Sequence, residues 1–331
     1  MKRIPIHLLL LTFLCLAGCS SSPTSPGSGG WIQATGGAPF SPRYGLSGTV
    51  FGGQMWVVGG AASDASASVT YWYGDVWSSS NGSSWTQATA SAPFGGRYGS
   101  QVLSYNGLLW MIGGNQTNAL KNDVWSSPDG ANWTQVLVNQ PGGTATHFSP
   151  REDFGAIVFN GAMWVIGGWS GTTKNDVWTS TDGITWTQVA TTGGLTGRWG
   201  FMMTVYNNRL WIMGGATGGP NPTGGHSDVW SSPDGTAWTM VSNLNNFGNL
   251  FYSQATVLNN QILLTAGEEF TWGPRDYLKS SSDGITWAFG DPMFPSRFYH
   301  LGLNFNNQTW VIGGMNNITT RTYYNDVWHS P

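Results

Sequence analysis

The sequence predicts an all-β protein: a six-bladed β-propeller of four-stranded antiparallel blades, its ring closed by the N-terminal strand. Two observations predict it. One set of short strand-like pieces recurs at a spacing of roughly fifty residues, the signature of propeller blades. The first such piece in the chain also supplies what the last repeat lacks.

The unit is plainest over 163–188, with Trp164-Val165-Ile166-Gly167-Gly168, a loop, Asn175-Asp176-Val177-Trp178, a turn at Asp182-Gly183, and Trp186-Thr187-Gln188. A continuous apolar run bounded by glycines suits a strand covered on both faces, as in stacked blades. Paired glycines end it where backbone crowds towards an axis and a Cβ would collide. Asp-Gly between two strand-like runs is a hairpin signal, so each blade is an antiparallel meander of strands a, b, c and d.

Taken in order, the chain opens with Lys2-Arg3 and an apolar run from Ile4 to Ala17, which reads as a signal peptide over 1–18. Leu16-Ala17-Gly18-Cys19 resembles the lipobox of bacterial lipoproteins, which implies lipidation of Cys19 as the first mature residue. The run is too short for a transmembrane span, which needs about 20 apolar residues. Ser20 after Cys19 resembles the outer-membrane-sorted kind, so a lipid-anchored protein of the bacterial envelope is expected. Cys15 leaves with the leader, and no thiol remains for a disulfide, catalysis or a metal. Residues 19–30 then form a Ser/Pro/Gly-rich tether.

The propeller is expected over 31–331. Trp31-Ile32-Gln33-Ala34-Thr35 matches Trp85-Thr86-Gln87-Ala88-Thr89, although no earlier part of a blade precedes it. The last repeat stops at Asn325-Asp326-Val327-Trp328, short of its Trp-Thr-Gln strand. The first strand therefore completes the last blade and removes both edges. Second glycines at 60, 114, 168, 215, 267 and 314 count six blades. Thirteen residues before the strand-b Trp of five blades stands an arginine: Arg43, Arg97, Arg151, Arg198 and Arg297. Blade five departs, with Leu250 at that offset, Ala266-Gly267 for Gly-Gly, and Asp276-Tyr277-Leu278 read as its Asp-Val-Trp.

With Pro-Arg entries, Gly-Gly after strand b and an aromatic in strand d, the sequence over 31–331 resembles the kelch family. The resemblance implies the fold and leaves the function open, because kelch propellers include enzymes, scaffolds and binding modules. Similar kelch enzymes include galactose oxidase, a copper enzyme, and the bacterial sialic acid mutarotase.

Composition narrows the function. Of 331 residues only 9% are charged, against about 25% in ordinary soluble domains. Without Lys2 and Arg3 the chain has 11 basic against 16 acidic groups, a net charge of −5 that leaves no nucleic-acid footprint. His147, His226, His300 and His329 show no ligand spacing, and the tyrosine, cysteine and histidine set of a copper oxidase is absent; no metal and no cofactor are expected.

Unusual residues gather at one end of the ring, where b–c and d–a loops meet. Sixteen of the 20 tryptophans fill repeat positions; Trp72, Trp169, Trp199 and Trp272 do not, and all four fall at that end. So do the acids outside the Asp-Val-Trp and Asp-Gly slots: Asp64, Glu152, Asp153, Glu268, Glu269 and Asp291. Variable loops on a rigid scaffold are where sites are built. The ligand-binding candidates are Arg43, Arg97, Arg151, Arg198, Arg297, Trp169, Trp199 and Glu268, with Glu268 the catalytic candidate. The entry arginines have a second reading, as clamps on neighbouring carbonyls. The expectation is a monomeric module binding an anionic sugar or other acidic ligand. The alternatives are a mutarotase or epimerase with Glu268 moving protons, and a scaffold for an envelope protein.

Overall fold

The computed structural model describes residues 30–64, 68–219, 222–244, 247–317 and 320–331. The leader, Cys19 and the tether up to residue 29 lie outside the described residues, as do their expected roles.

Six antiparallel blades surround one axis, and no helix occurs among the described residues. Blade three shows the plan: Gly155–Phe159, Ala162–Trp169, Thr173–Ser180 and Thr187–Val189, each pairing with the next. The sixth blade is completed by Ile32–Thr35, which pairs antiparallel with Thr322–His329 in the register Ile32 to His329. The N-terminal strand thus closes the ring, and Trp31 packs edge-on against Phe294 at 5.4 Å and 80°.

The hydrophobic cores lie between blades. One cluster joins Leu301, Leu303, Trp310 and Val327 of blade six to Met55, Val57 and Trp85 of blade one, and the pattern repeats around the ring. The Asp-Gly turns have a second role here. Gly183 has a φ of +72°, and a Cβ on it would run into the ring of Trp110 in the preceding blade. Gly130 and Gly235 stand in the same way against Trp56 and Trp164. Glycine in this turn therefore serves both conformation and blade stacking.

Blade five needs a correction. Lys279 pairs with Leu264 as Trp178 pairs with Val165, so the Asp-Val-Trp slot holds Tyr277-Leu278-Lys279, one residue later than the sequence match suggests. Arginine, aspartate and tryptophan are all replaced there, by Leu250, Tyr277 and Lys279. The cation has moved to strand c: Lys279 is 2% exposed, and its ammonium lies 4.5 Å from the Tyr277 ring centre and donates to the Phe247 carbonyl. Arg97 of blade two likewise donates to the Phe94 carbonyl.

Candidate functional site

The site is built from three residues per blade at the start of strand a. The first is the entry arginine. Arg43, Arg97, Arg151, Arg198 and Arg297 are all at most 1% exposed. Each is paired through two nitrogens with the aspartate of its own blade, with shortest contacts of 2.5–2.7 Å to Asp75, Asp123, Asp176, Asp228 and Asp326. Each also donates to the carbonyl of the first paired glycine, as Arg151 does to Gly167 at 2.8 Å. A tryptophan two residues after the aspartate holds the second carboxylate oxygen, as Trp178 does Asp176 at 2.7 Å. Burial would raise Asp176 and Asp228, yet the guanidinium bonds and charges hold both below the ordinary carboxylate value.

This geometry overturns the arginines as ligand contacts. Apart from Arg97 Nε, which is buried without a partner, their guanidinium nitrogens face aspartate and other oxygens inside the blades, and none of the five lines the cavity. They fix the Gly-Gly corner to strand c, which is the clamp reading.

The second residue of each triplet faces the mouth of the ring: Tyr44, Tyr98, Glu152, Trp199, Phe251 and Phe298. Each bridges to the residue that follows the paired glycines, namely Ala61, Asn115, Trp169, Ala216, Glu268 and Met315. With Trp169, Glu268 and Met315, these six wall a cavity of about 580 Å³.

The third residue makes the floor. Gly45, Gly99, Asp153, Gly200, Tyr252 and Tyr299 all have left-handed backbone, with φ between +51° and +62°. Each amide donates to the carbonyl of the preceding blade's third residue: Gly45 to Tyr299, Gly99 to Gly45, Asp153 to Gly99, Gly200 to Asp153, Tyr252 to Gly200 and Tyr299 to Tyr252, at 2.8–3.2 Å. The circle closes on itself around the axis. In three blades this position is glycine, and a Cβ at Gly99 would stand 2.7 Å from Asp153 Oδ1. The other three carry bulky or charged side chains in a conformation that is strained for them. These meet: the Tyr252 and Tyr299 rings stack at 3.5 Å, and both hydroxyls donate to Asp153 Oδ2, at 2.9 and 2.6 Å. They separate the cavity from a second space of about 340 Å³ lined by the inner strands.

The ionisable groups of the cavity are mostly acids. Glu152 is 8% exposed and accepts from Asn115 Nδ2 at 3.0 Å. Burial raises Glu152; burial and the Glu152 charge raise Asp153, against the tyrosine hydrogen bonds. Burial alone pushes Glu268 up to about 7. Tyr98 is raised by burial and by Glu152, and Tyr44, by burial first, up to about 12. Arg321, exposed at the rim, is the one basic side chain among the described lining residues.

Of the sequence candidates, Trp169, Trp199 and Glu268 line this cavity. Trp199 is only 3% exposed, packed on Phe251 and bonded through Nε1 to the Gly218 carbonyl, so it offers little free face. Trp72 stacks on Tyr98 at 5.4 Å, whereas Trp272 is 72% exposed. Among the described residues no three His, Cys, Asp or Glu are placed to hold a metal. His300 lies buried against Thr265 Oγ1, and burial lowers it to about 3. Sequence reasoning passed over Tyr44, Tyr98, Tyr252 and Tyr299, although reading down the two positions after each entry position, Leu250 of blade five included, finds all four.

No protein-family model matches the chain, and no curated protein matches it. Among solved structures it is similar to one titled "Structure of YjhT", with a TM-score of 0.70 at 15% identity, covering 88% of this chain and 96% of that one. At that identity the likeness speaks for the fold alone. With the six blades and their repeated Arg-to-Gly-Gly clamp, it makes this chain a kelch-like β-propeller.

Proposed function

We propose that the propeller is a carbohydrate-binding module of the bacterial envelope, tethered through Cys19 and taking its ligand in the cavity of the loop end. One observation carries the binding reading: a cavity of about 580 Å³ whose wall sets aromatic rings beside the carboxyl groups of Glu152, Asp153 and Glu268. Sugars present apolar faces that stack on Tyr and Trp rings, and hydroxyls that donate to carboxylates. Tyr44, Tyr98, Tyr323 and Trp169 would supply the first, and Glu152 and Glu268 the second. With the five arginines committed to aspartates, the anionic ligand expected from them loses its counter-charges, and the sugar remains.

A saccharide array followed by titration calorimetry tests this. Binding to a defined glycan that Tyr98→Ala and Trp169→Ala each weaken, with melting unchanged, is the expected result; an array with no hits at millimolar glycan would sink it. Acyl labelling of the parent and of Cys19→Ala reads the anchor separately.

A mutarotase or epimerase is the second reading, favoured by Glu268, whose proton affinity near neutrality suits proton transfer. An enzyme of that kind should keep affinity and lose turnover in Glu268→Gln, whereas a module has no turnover to lose.

A further inference from the structure

We propose that the ligand of this cavity carries a protonated amine, seated between the carboxylates of Glu152, Asp153 and Glu268 and the faces of the tyrosine rings: an amino sugar rather than a neutral or acidic one. The sugar part rests on the function proposed above; the amine part rests on the charge and hydrogen-bond inventory of the cavity.

Three carboxylates line one cavity, and Arg321 is the one basic side chain beside them among the described residues. The large store of positive charge nearby is out of reach, since every entry arginine is buried and paired with its own aspartate. Two of the hydroxyl donors beside these carboxylates are already committed. The hydroxyls of Tyr252 and Tyr299 are both spent on Asp153 Oδ2. An ammonium brings three donors and no acceptor.

The walls favour the same charge. Tyr44 lies at 5.5 Å from Tyr98 and 5.7 Å from Tyr323, so ring faces and edges crowd one side of the cavity. Aromatic faces attract cations and do not attract carboxylates. A uronic or sialic type of sugar would set its own carboxylate among three others, with exposed Arg321 alone to offset them.

The experiment compares matched probes on the whole propeller by titration calorimetry: glucosamine oligomers, their N-acetylated counterparts, oligomers of a uronic acid, and spermidine as an amine without a sugar. The amine-bearing oligomer should bind about tenfold to a hundredfold more tightly than its N-acetylated twin, the range for a charged hydrogen bond. Glu152→Gln should erase that preference, weakening the amine-bearing oligomer at least about tenfold more than its N-acetylated twin. If that variant melts early, Glu268→Gln across the cavity reads the same loss. Equal or tighter binding of the N-acetylated or uronic oligomers overturns the amine inference and leaves the carbohydrate reading standing. Binding of spermidine with no sugar bound does the reverse. Silence from all four probes overturns both.

Discussion

Arg151 shows how a repeated residue can be conspicuous in sequence and absent from the site. Five like charges at one offset around a ring suggest a shared anion, but each has its own carboxylate within its own blade. The outcome of mutation changes accordingly. Arg151→Ala takes the counter-charge from Asp176, leaving it the Trp178 indole as donor, and removes a donor from the Gly167 carbonyl; breaking a buried pair costs roughly 3 to 5 kcal/mol. Urea denaturation should record that loss; unchanged stability with a lost ligand would return the arginine to the binding site. Glu268 makes the opposite case, a carboxyl with burial and no compensating charge. Its proton affinity rises from 4.5 to about 7 on folding, so between those values the native chain holds more protons than the unfolded one. Its contribution favours the fold at acid pH and is lost as the pH rises through about 7. Glu268→Gln keeps the uncharged shape, so it should melt with the parent near pH ~4.5 and above it near pH ~8, by up to about 3 kcal/mol. Identical melting of the two at the higher pH would contradict the desolvation of Glu268.

At the scale of the element, the strand Ile32–Thr35 carries the closure. It gives the last blade its outer strand and covers the backbone edge of Thr322–His329. Trp31 is 7% exposed against Phe294, so Trp31→Ala should cost roughly 3 to 5 kcal/mol, as for other buried aromatics, read as a lower melting temperature. An unshifted melt would separate the strand from the ring's stability. That closure was legible because Trp31-Ile32-Gln33 repeats a pattern missing from the other end. Blade five was legible as an exception but misplaced by one residue, since Asp276 imitates the slot that Tyr277 fills. Only counting back eight residues from Trp287 to Lys279, as from Trp186 to Trp178, sets it right. The phenylalanine three residues before the entry position, at 40, 94, 148, 247 and 294, was equally readable; it meets the strand-d tryptophan at 5.1–5.4 Å in every case. What periodicity could not convey was direction. A repeat marks which residues are equivalent, and whether an equivalent residue turns inward to a partner or outward to a ligand depends on the Cβ vector at the corner.

For the whole molecule, the feature that ties six blades into one body at the cavity floor is the closed circle of amides through Gly45, Gly99, Asp153, Gly200, Tyr252 and Tyr299. A linear array of repeats opens from its ends, because each unit holds only its neighbours. A circle has no end, and each of these bonds crosses from one blade to the next. The six amides should therefore exchange with solvent as one group, at the rate of opening the ring. Gly200 is the position at which to break it. Its φ of +61° disfavours any side chain, and a Cβ there would meet the Tyr252 ring at 3.0 Å. Alanine at that position should cost on the order of 1 to 3 kcal/mol of backbone strain. More tellingly, it should speed exchange at all six amides together, including Gly45 on the far side of the axis. Hydrogen exchange resolved by residue measures this directly. Acceleration confined to Gly200 and Tyr252, with Gly45 and Gly99 unchanged, would mean that the circle is six separate bonds and that blade-to-blade packing alone holds the ring.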